Sequence, residues 1–121
     1  MQDFRRLAVW NKGHVLTLKL YGVTAAFPRE EVYGLTSQVR RAASSIPANI
    51  GEGCGRGSDA DLARFLQMSL GSASELDYHL QLAHELSYLK DEEYGGLATD
   101  TAEITHAGWI PQTNPQSAAE Y

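Results

Sequence analysis

The chain has little cysteine: Cys54 is the only one among 121 residues. A single thiol builds no disulfide framework and no cysteine metal cluster, and it suits a reducing cytoplasm. Long apolar runs are also missing. No stretch approaches the ~18 consecutive apolar residues that read as a bilayer span, so no membrane partner is expected. The N-terminus carries Asp3, Arg5 and Arg6 in place of the apolar segment of a signal peptide. No segment alternates apolar and polar residues over the length of a strand, which argues against a sheet. Positive charge is in deficit. Ten Lys and Arg stand against fifteen Asp and Glu, a net charge of −5. A general nucleic-acid binder is usually basic, so overall charge argues against that class and leaves only a local basic patch.

What is present is helical. The length fits one domain and 43% hydrophobic residues supply one modest core. Val9, Gly13, Leu16, Leu20, Val23 and Phe27 recur at 4, 3, 4, 3 and 4, a heptad seam that predicts a first helix over residues 7–27. Trp10, His14, Thr17, Tyr21 and Thr24 run beside it. Phe27-Pro28 ends it, because the residue before proline leaves the α region. Leu35, Val39, Ala42, Ile46 and Ile50 predict a second helix from Leu35 to about Gly53. Pro47 inside it predicts a kink near Ala43–Pro47, with Ser44 and Ser45 helping to satisfy the freed carbonyl. A second stripe on this helix, Gln38, Arg41, Ser45, Asn49 and Glu52, is polar. The glycines at 53, 55 and 57 read as a flexible turn.

Ser58 is a natural N-cap for a third helix, with Asp59 and Asp61 in its first turn. Leu62, Leu66, Ser69, Ala73, Leu76, Leu80 and Ala83 carry that helix to about Tyr88-Leu89. The small residues Gly71 to Ser74 predict a close helix approach at its middle. Asp91 reads as the cap of a fourth helix through Tyr94, Leu97, Thr101 and Ile104, weakened by Gly95-Gly96. The pattern collapses after His106. The expected fold is all-α: an antiparallel up-down-up-down four-helix bundle over residues 1–106 with a short or broken fourth helix, and an irregular tail over 107–121.

The run Phe27-Pro28-x-Glu30-x-x-Tyr33-Gly34-Leu35-x-x-Gln38-x-Arg40-Arg41-Ala42-Ala43-x-Ser45-Ile46-x-Ala48-Asn49-Ile50-x-Glu52-Gly53-x-Gly55-Arg56 strongly resembles the bacterial four-helix-bundle family of proteins encoded in 23S rRNA intervening sequences, also labelled S23 ribosomal protein. The resemblance extends from Val9-Trp10 through Arg64-Phe65-Leu66, Gly71-Ser72 and Glu75-Leu76 to Leu86-x-Tyr88-Leu89. It implies a four-helix bundle assembled as a ring-like homopentamer. It also implies kinship with the accessory variability protein of diversity-generating retroelements, a basic pentamer that binds nucleic acid and a reverse transcriptase. The acidic charge of this chain departs from those relatives, and so does the loss of helical pattern after His106.

Candidate chemistry is sparse. Arg40, Arg41, Arg56 and Arg64 are the candidate nucleic-acid or partner-binding residues, since the planar guanidinium fork suits phosphate; Arg5 and Arg6 extend that set. Asn49, Glu52, Ser72 and Glu75 are candidate structural or interface polar residues. On the structural reading, which is preferred, Arg40 or Arg41 pairs with Glu52 or Glu75, and Asn49 satisfies backbone freed by Pro47. The aromatics Trp10, Tyr21, Phe27 and Tyr33 read as core or subunit contacts. His14, His79, His84 and His106 lack the Glu-x-x-His spacing of a di-iron bundle, so no metal or cofactor is expected. Cys54 has no spaced histidine, so no catalytic residue is expected and the chain does not read as an enzyme. The glycine run before Ser58 follows a helix and lacks the P-loop lysine. The sequence therefore points to a cytoplasmic homo-oligomer that acts as an interaction or scaffold protein for a protein or RNA partner, or to an RNA-binding accessory protein with an arginine-lined rim or pore.

Overall fold

A computed structural model of the chain describes residues 3–107. A 3-10 turn, Phe4–Arg6, leads into α1 (Ala8–Thr24). A second 3-10 turn, Arg29–Glu31, precedes α2 (Leu35–Gly55). Helices α3 (Asp59–Glu85) and α4 (Asp91–Ala107) complete the chain order. Short connections make successive helices antiparallel. Each helix packs on the next and α4 closes against α1, while the backbones of the diagonal pairs stay further apart. The fold is an all-α four-helix bundle with a short fourth helix. Among the described residues no helix is long and apolar enough to cross a membrane. The tail expected to be irregular lies outside the described residues beyond Ala107, itself the last residue of α4.

The heptad positions face inward. Leu16, Leu20, Val39, Ile46, Ile50, Leu76, Leu80 and Ile104 are almost completely buried. Apolar burial of this kind is the main force holding the helices together. Buried hydroxyls are satisfied locally: Thr17, Thr24 and Thr101 each donate to the carbonyl four residues back. Ser69 instead crosses from α3 to α2, donating to the Ile46 carbonyl at 2.7 Å.

Several local expectations are corrected. Helix α1 stops at Thr24, three residues short, and Ala26 and Phe27 continue in tight turns toward Pro28. Helix α2 runs through Pro47 and on to Gly55, so Gly53 and Gly55 are helical and the flexible turn shrinks to Arg56–Ser58. Gly53 is glycine for closeness: a Cβ there would lie 2.9 Å from the Phe65 Cβ. Among the described glycines only Gly57, at φ 84°, uses the left-handed region. Ser44 and Ser45 donate to the Arg41 carbonyl, and Asn49 donates to the Ser45 carbonyl. Such short side chains reach back three or four residues, so none of the three bonds goes to Ala43, the carbonyl that Pro47 leaves without its amide. Of the small residues Gly71 to Ser74, Ala73 is buried and Ser72 half-buried, while Gly71 and Ser74 are exposed.

Ser58 caps α3 as read, accepting from the Asp61 N–H at 3.1 Å. The helix ends at Glu85 because Ser87 adopts a left-handed conformation, φ 66°. The Ser87 and Tyr88 amides then bond back to the His84 and Ala83 carbonyls, a helix stop usually made by glycine. The cap of α4 is not Asp91, which is already helical. Glu93 accepts from the Lys90 N–H at 3.0 Å, and Asp91 is drawn instead to the His84 Nε2 at 2.7 Å.

Glu31 joins the two loops at one end of the bundle. Its Oε1 accepts from the Leu35 N–H at 3.0 Å, and its Oε2 accepts from the Tyr88 hydroxyl at 2.9 Å. The Leu35 amide, then the Tyr88 hydroxyl, hold its carboxyl below the usual carboxylate range. The folded state thus favours the charged form. The resulting stability is present at neutral pH, begins to fall in the ordinary carboxylate range and is lost as pH drops through the lowered pKa. Tyr88 is pushed up, chiefly by the bond to Glu31, so its contribution persists until pH rises through its own raised pKa. Glu31→Gln is expected to lower the melting temperature at neutral pH and to flatten its decline on acidification. Circular dichroism melts across the acid range check this; an unchanged acid slope would contradict it.

Candidate functional site

An opening on the described surface lies between the start of α1 and the second half of α2. It is a shallow groove of about 540 Å³. Trp10 and His14, one helical turn apart on α1, stack with ring centroids 5.0 Å apart. Phe4 meets Trp10 edge-on at 5.3 Å. Opposite them α2 supplies Pro47, Ala48 and Gly51, with Glu52 at the edge. The sequence sets this up directly. Gly13 lets α1 lie against Ile46 and Pro47, so its neighbours Trp10 and His14 stand over the α2 surface. The Phe4–Arg6 turn is held by Asp3, which accepts from the Arg5 N–H, and folds the Phe4 ring over Gly51. The groove is an aromatic platform suited to stacking or to apolar contact.

The candidate arginines are divided between the two ends. Arg56 and Arg64 come together at the groove end, their guanidiniums 5.0 and 4.6 Å from the Phe65 ring centroid. Arg56 pairs with Glu52 at 3.2 Å and Arg64 with Asp61 at 3.3 Å. Arg5 shares this end, over Phe4 and paired with Asp3. Arg40 and Arg41 do not join them: at 1.5 Å per residue, Arg41 stands about 22 Å from Arg56 along α2. Arg40 is turned onto α1, donating to Thr24 Oγ1 at 2.8 Å and to the Tyr21 carbonyl at 3.2 Å. The expected pairing of Arg40 or Arg41 with Glu52 or Glu75 is therefore replaced. Glu52, about 16 Å along the helix from Arg41, takes Arg56, and Glu75 takes His79. Asn49 and Ser72 are half-buried, with Asn49 spent on its own helix. Lys12 and Lys19 bind Glu103 and Asp100, fastening α1 to α4.

Among the described residues, no three His, Cys, Asp or Glu side chains converge as a metal ion requires. Besides Glu31 and Tyr88, Cys54 has a displaced pKa; burial raises it, which disfavours the reactive thiolate. None of the three lines the groove. The sequence reading passed over Phe4 and assigned Trp10 to packing. The signal that points to the groove is the Trp10–His14 spacing around Gly13, opposite Pro47 and Gly51.

The family model for the 23S rRNA-intervening sequence protein matches residues 5–107. The chain is also similar to the crystal structure of a protein of unknown function from the S23 ribosomal protein family of Bacteroides thetaiotaomicron VPI-5482. The two are 28% identical, with a TM-score of 0.74 over 80% of this chain and 91% of that one. Among curated proteins, none matches the chain.

Proposed function

The chain belongs to the 23S rRNA-intervening sequence protein family, and on that premise we propose that it is a non-enzymatic interaction protein that works as an assembly of its own copies. The observation that carries this is the pair of apolar stripes on the outside of the bundle. Val15 and Leu18 stand outward on α1, with Leu18 60% exposed; Met68 and Tyr78 stand outward on α3, with Tyr78 58% exposed. Large apolar side chains left exposed on an outer face mark contact surfaces; Val15 and Leu18 lie one helical turn apart, and Met68 and Tyr78 are spread over about 15 Å of α3. Helices α1 and α3 are diagonal in the bundle, so the two stripes are different patches. A contact between unlike patches is head-to-tail, the kind that closes into rings, which agrees with the pentamer implied by the family resemblance. A cytoplasmic setting suits the single buried thiol.

A second reading, RNA binding, draws on Arg5, Arg6, Arg56 and Arg64 sharing one end with the Trp10–His14 stack. It is the weaker one, because Arg5, Arg56 and Arg64 are each matched to a carboxylate. Light scattering on the purified chain separates the two. The expected mass is a multiple of the protomer that ignores RNA, and Leu18→Glu, an exposed change, is expected to shift it toward the protomer. A wild-type protomer mass would overturn the assembly reading. A mass increase with RNA that weakens with salt, with a slope of about 0.7 per phosphate contacted on a single strand, would favour the second reading.

A further inference from the structure

The end of the bundle opposite the aromatic groove has a different chemistry. It is built from the connection over residues 25–34 and the connection over residues 86–90. The Tyr88–Glu31 hydrogen bond and the Phe27–Tyr88 ring contact, 5.5 Å between centroids, hold the two connections together. Three large apolar side chains stand out of this platform: Val32, Leu86 and Tyr33, the last 96% exposed. Around them lie the exposed carboxylates Glu30, Glu85, Asp91, Glu92 and Glu93. The cations here are Arg29, Lys90, Arg40 and Arg41, fewer than the carboxylates, and Arg40 is committed to Tyr21 and Thr24.

We propose that this end is a docking surface for a basic protein segment, one rich in lysine or arginine with an apolar recess that receives Tyr33. Charge complementarity argues for that occupant. The carboxylate rim repels the phosphates of RNA and attracts a cationic chain, as rim charges do at protein interfaces. Tyrosine is among the residues that anchor such contacts, giving apolar area and a hydroxyl on a side chain with few rotors. A second copy offering the same end would bring carboxylates against carboxylates. The surface lies at an end of the bundle, clear of the outward stripes on α1 and α3. This inference rests on reading the chain as an interaction protein but not on its self-assembly, so a protomer mass in light scattering would leave it standing.

The test uses the full chain and a fluorescent synthetic Arg/Leu peptide, with a Glu/Leu peptide of equal length as control. The Arg/Leu peptide is expected to bind by anisotropy, to weaken as salt rises, and to protect residues 29–34 and 84–94 in hydrogen exchange. Tyr33→Ala is expected to weaken binding about tenfold, and Glu92→Lys with Glu93→Lys to abolish it, with the melting temperature of Tyr33→Ala unchanged. Equal binding of both peptides, wild-type affinity in Tyr33→Ala, or protection at Phe4–Arg6 and the groove would overturn the proposal. So would a fall in assembly mass in Tyr33→Ala, which would make the occupant a second copy.

Discussion

Ile46→Ala is expected to cost about 2–5 kcal/mol of folding stability. Ile46 has no solvent exposure and sits where three helices meet. Its Cγ2 lies 3.0 Å from the position a Cβ on Gly13 would take, bringing α1 close. Its carbonyl accepts the Ser69 hydroxyl from α3. Truncation opens a cavity at that junction, and the surroundings cannot collapse into it freely, since Pro47 follows in a closed ring and Ala42 and Ala43 have no side chain to extend. A domain of this size has roughly 5–15 kcal/mol in total, so the loss is a large fraction. Urea unfolding followed by circular dichroism measures it. A loss under about 1 kcal/mol would show that the junction relaxes and that this account of the core is wrong.

Gly13→Val is expected to cost about 1–3 kcal/mol by overpacking the same junction from the other side. Its Cβ would meet Ile46 Cγ2 at 3.0 Å and Pro47 Cδ at 3.3 Å. The proline ring cannot rotate away, so α1 and α2 must move apart and disturb the Trp10–His14 stack above them. The two changes are coupled. In an Ile46→Ala background the Cγ2 is gone and the valine has room, so its added cost is expected to shrink by about 0.5 kcal/mol or more. Strict additivity in the four-chain cycle would mean that α1 is held against α2 by something other than this contact.

The heptad positions read from spacing are the buried ones, from Val9 and Leu16 to Leu76 and Leu80, because a 3.6-residue period places them on one side of a helix whatever lies opposite. The reading missed stops and partners. Ser87 ends α3 in a conformation that sequence reasoning assigns to glycine. Of the two roles read for Tyr33, a place in the protomer's core is excluded, since it stands 96% exposed in a turn outside every helical seam. Arg41 and Glu52 share a stripe yet stand three turns apart, and a stripe carries no information about distance along the axis.

The candidate site divides in the same way. The arginines, the glycines and the Trp10–His14 spacing are visible in the sequence. That Arg56 and Arg64 share Phe65 while Arg40 turns to α1 is not, and neither is the meeting of Tyr88 with Glu31 across 57 positions. Local periodicity and capping chemistry act within a few residues, so the sequence alone determines that there are four helices, close to where they begin, and which faces are apolar. Side-chain partners between helices depend on the register at which those faces lock. That register is decided by packing, by the closeness that Gly13 and Gly53 permit and by the bulk of Ile46 and Phe65 opposite them, so only the tertiary structure shows which charges are already matched and which apolar surfaces remain open to a partner.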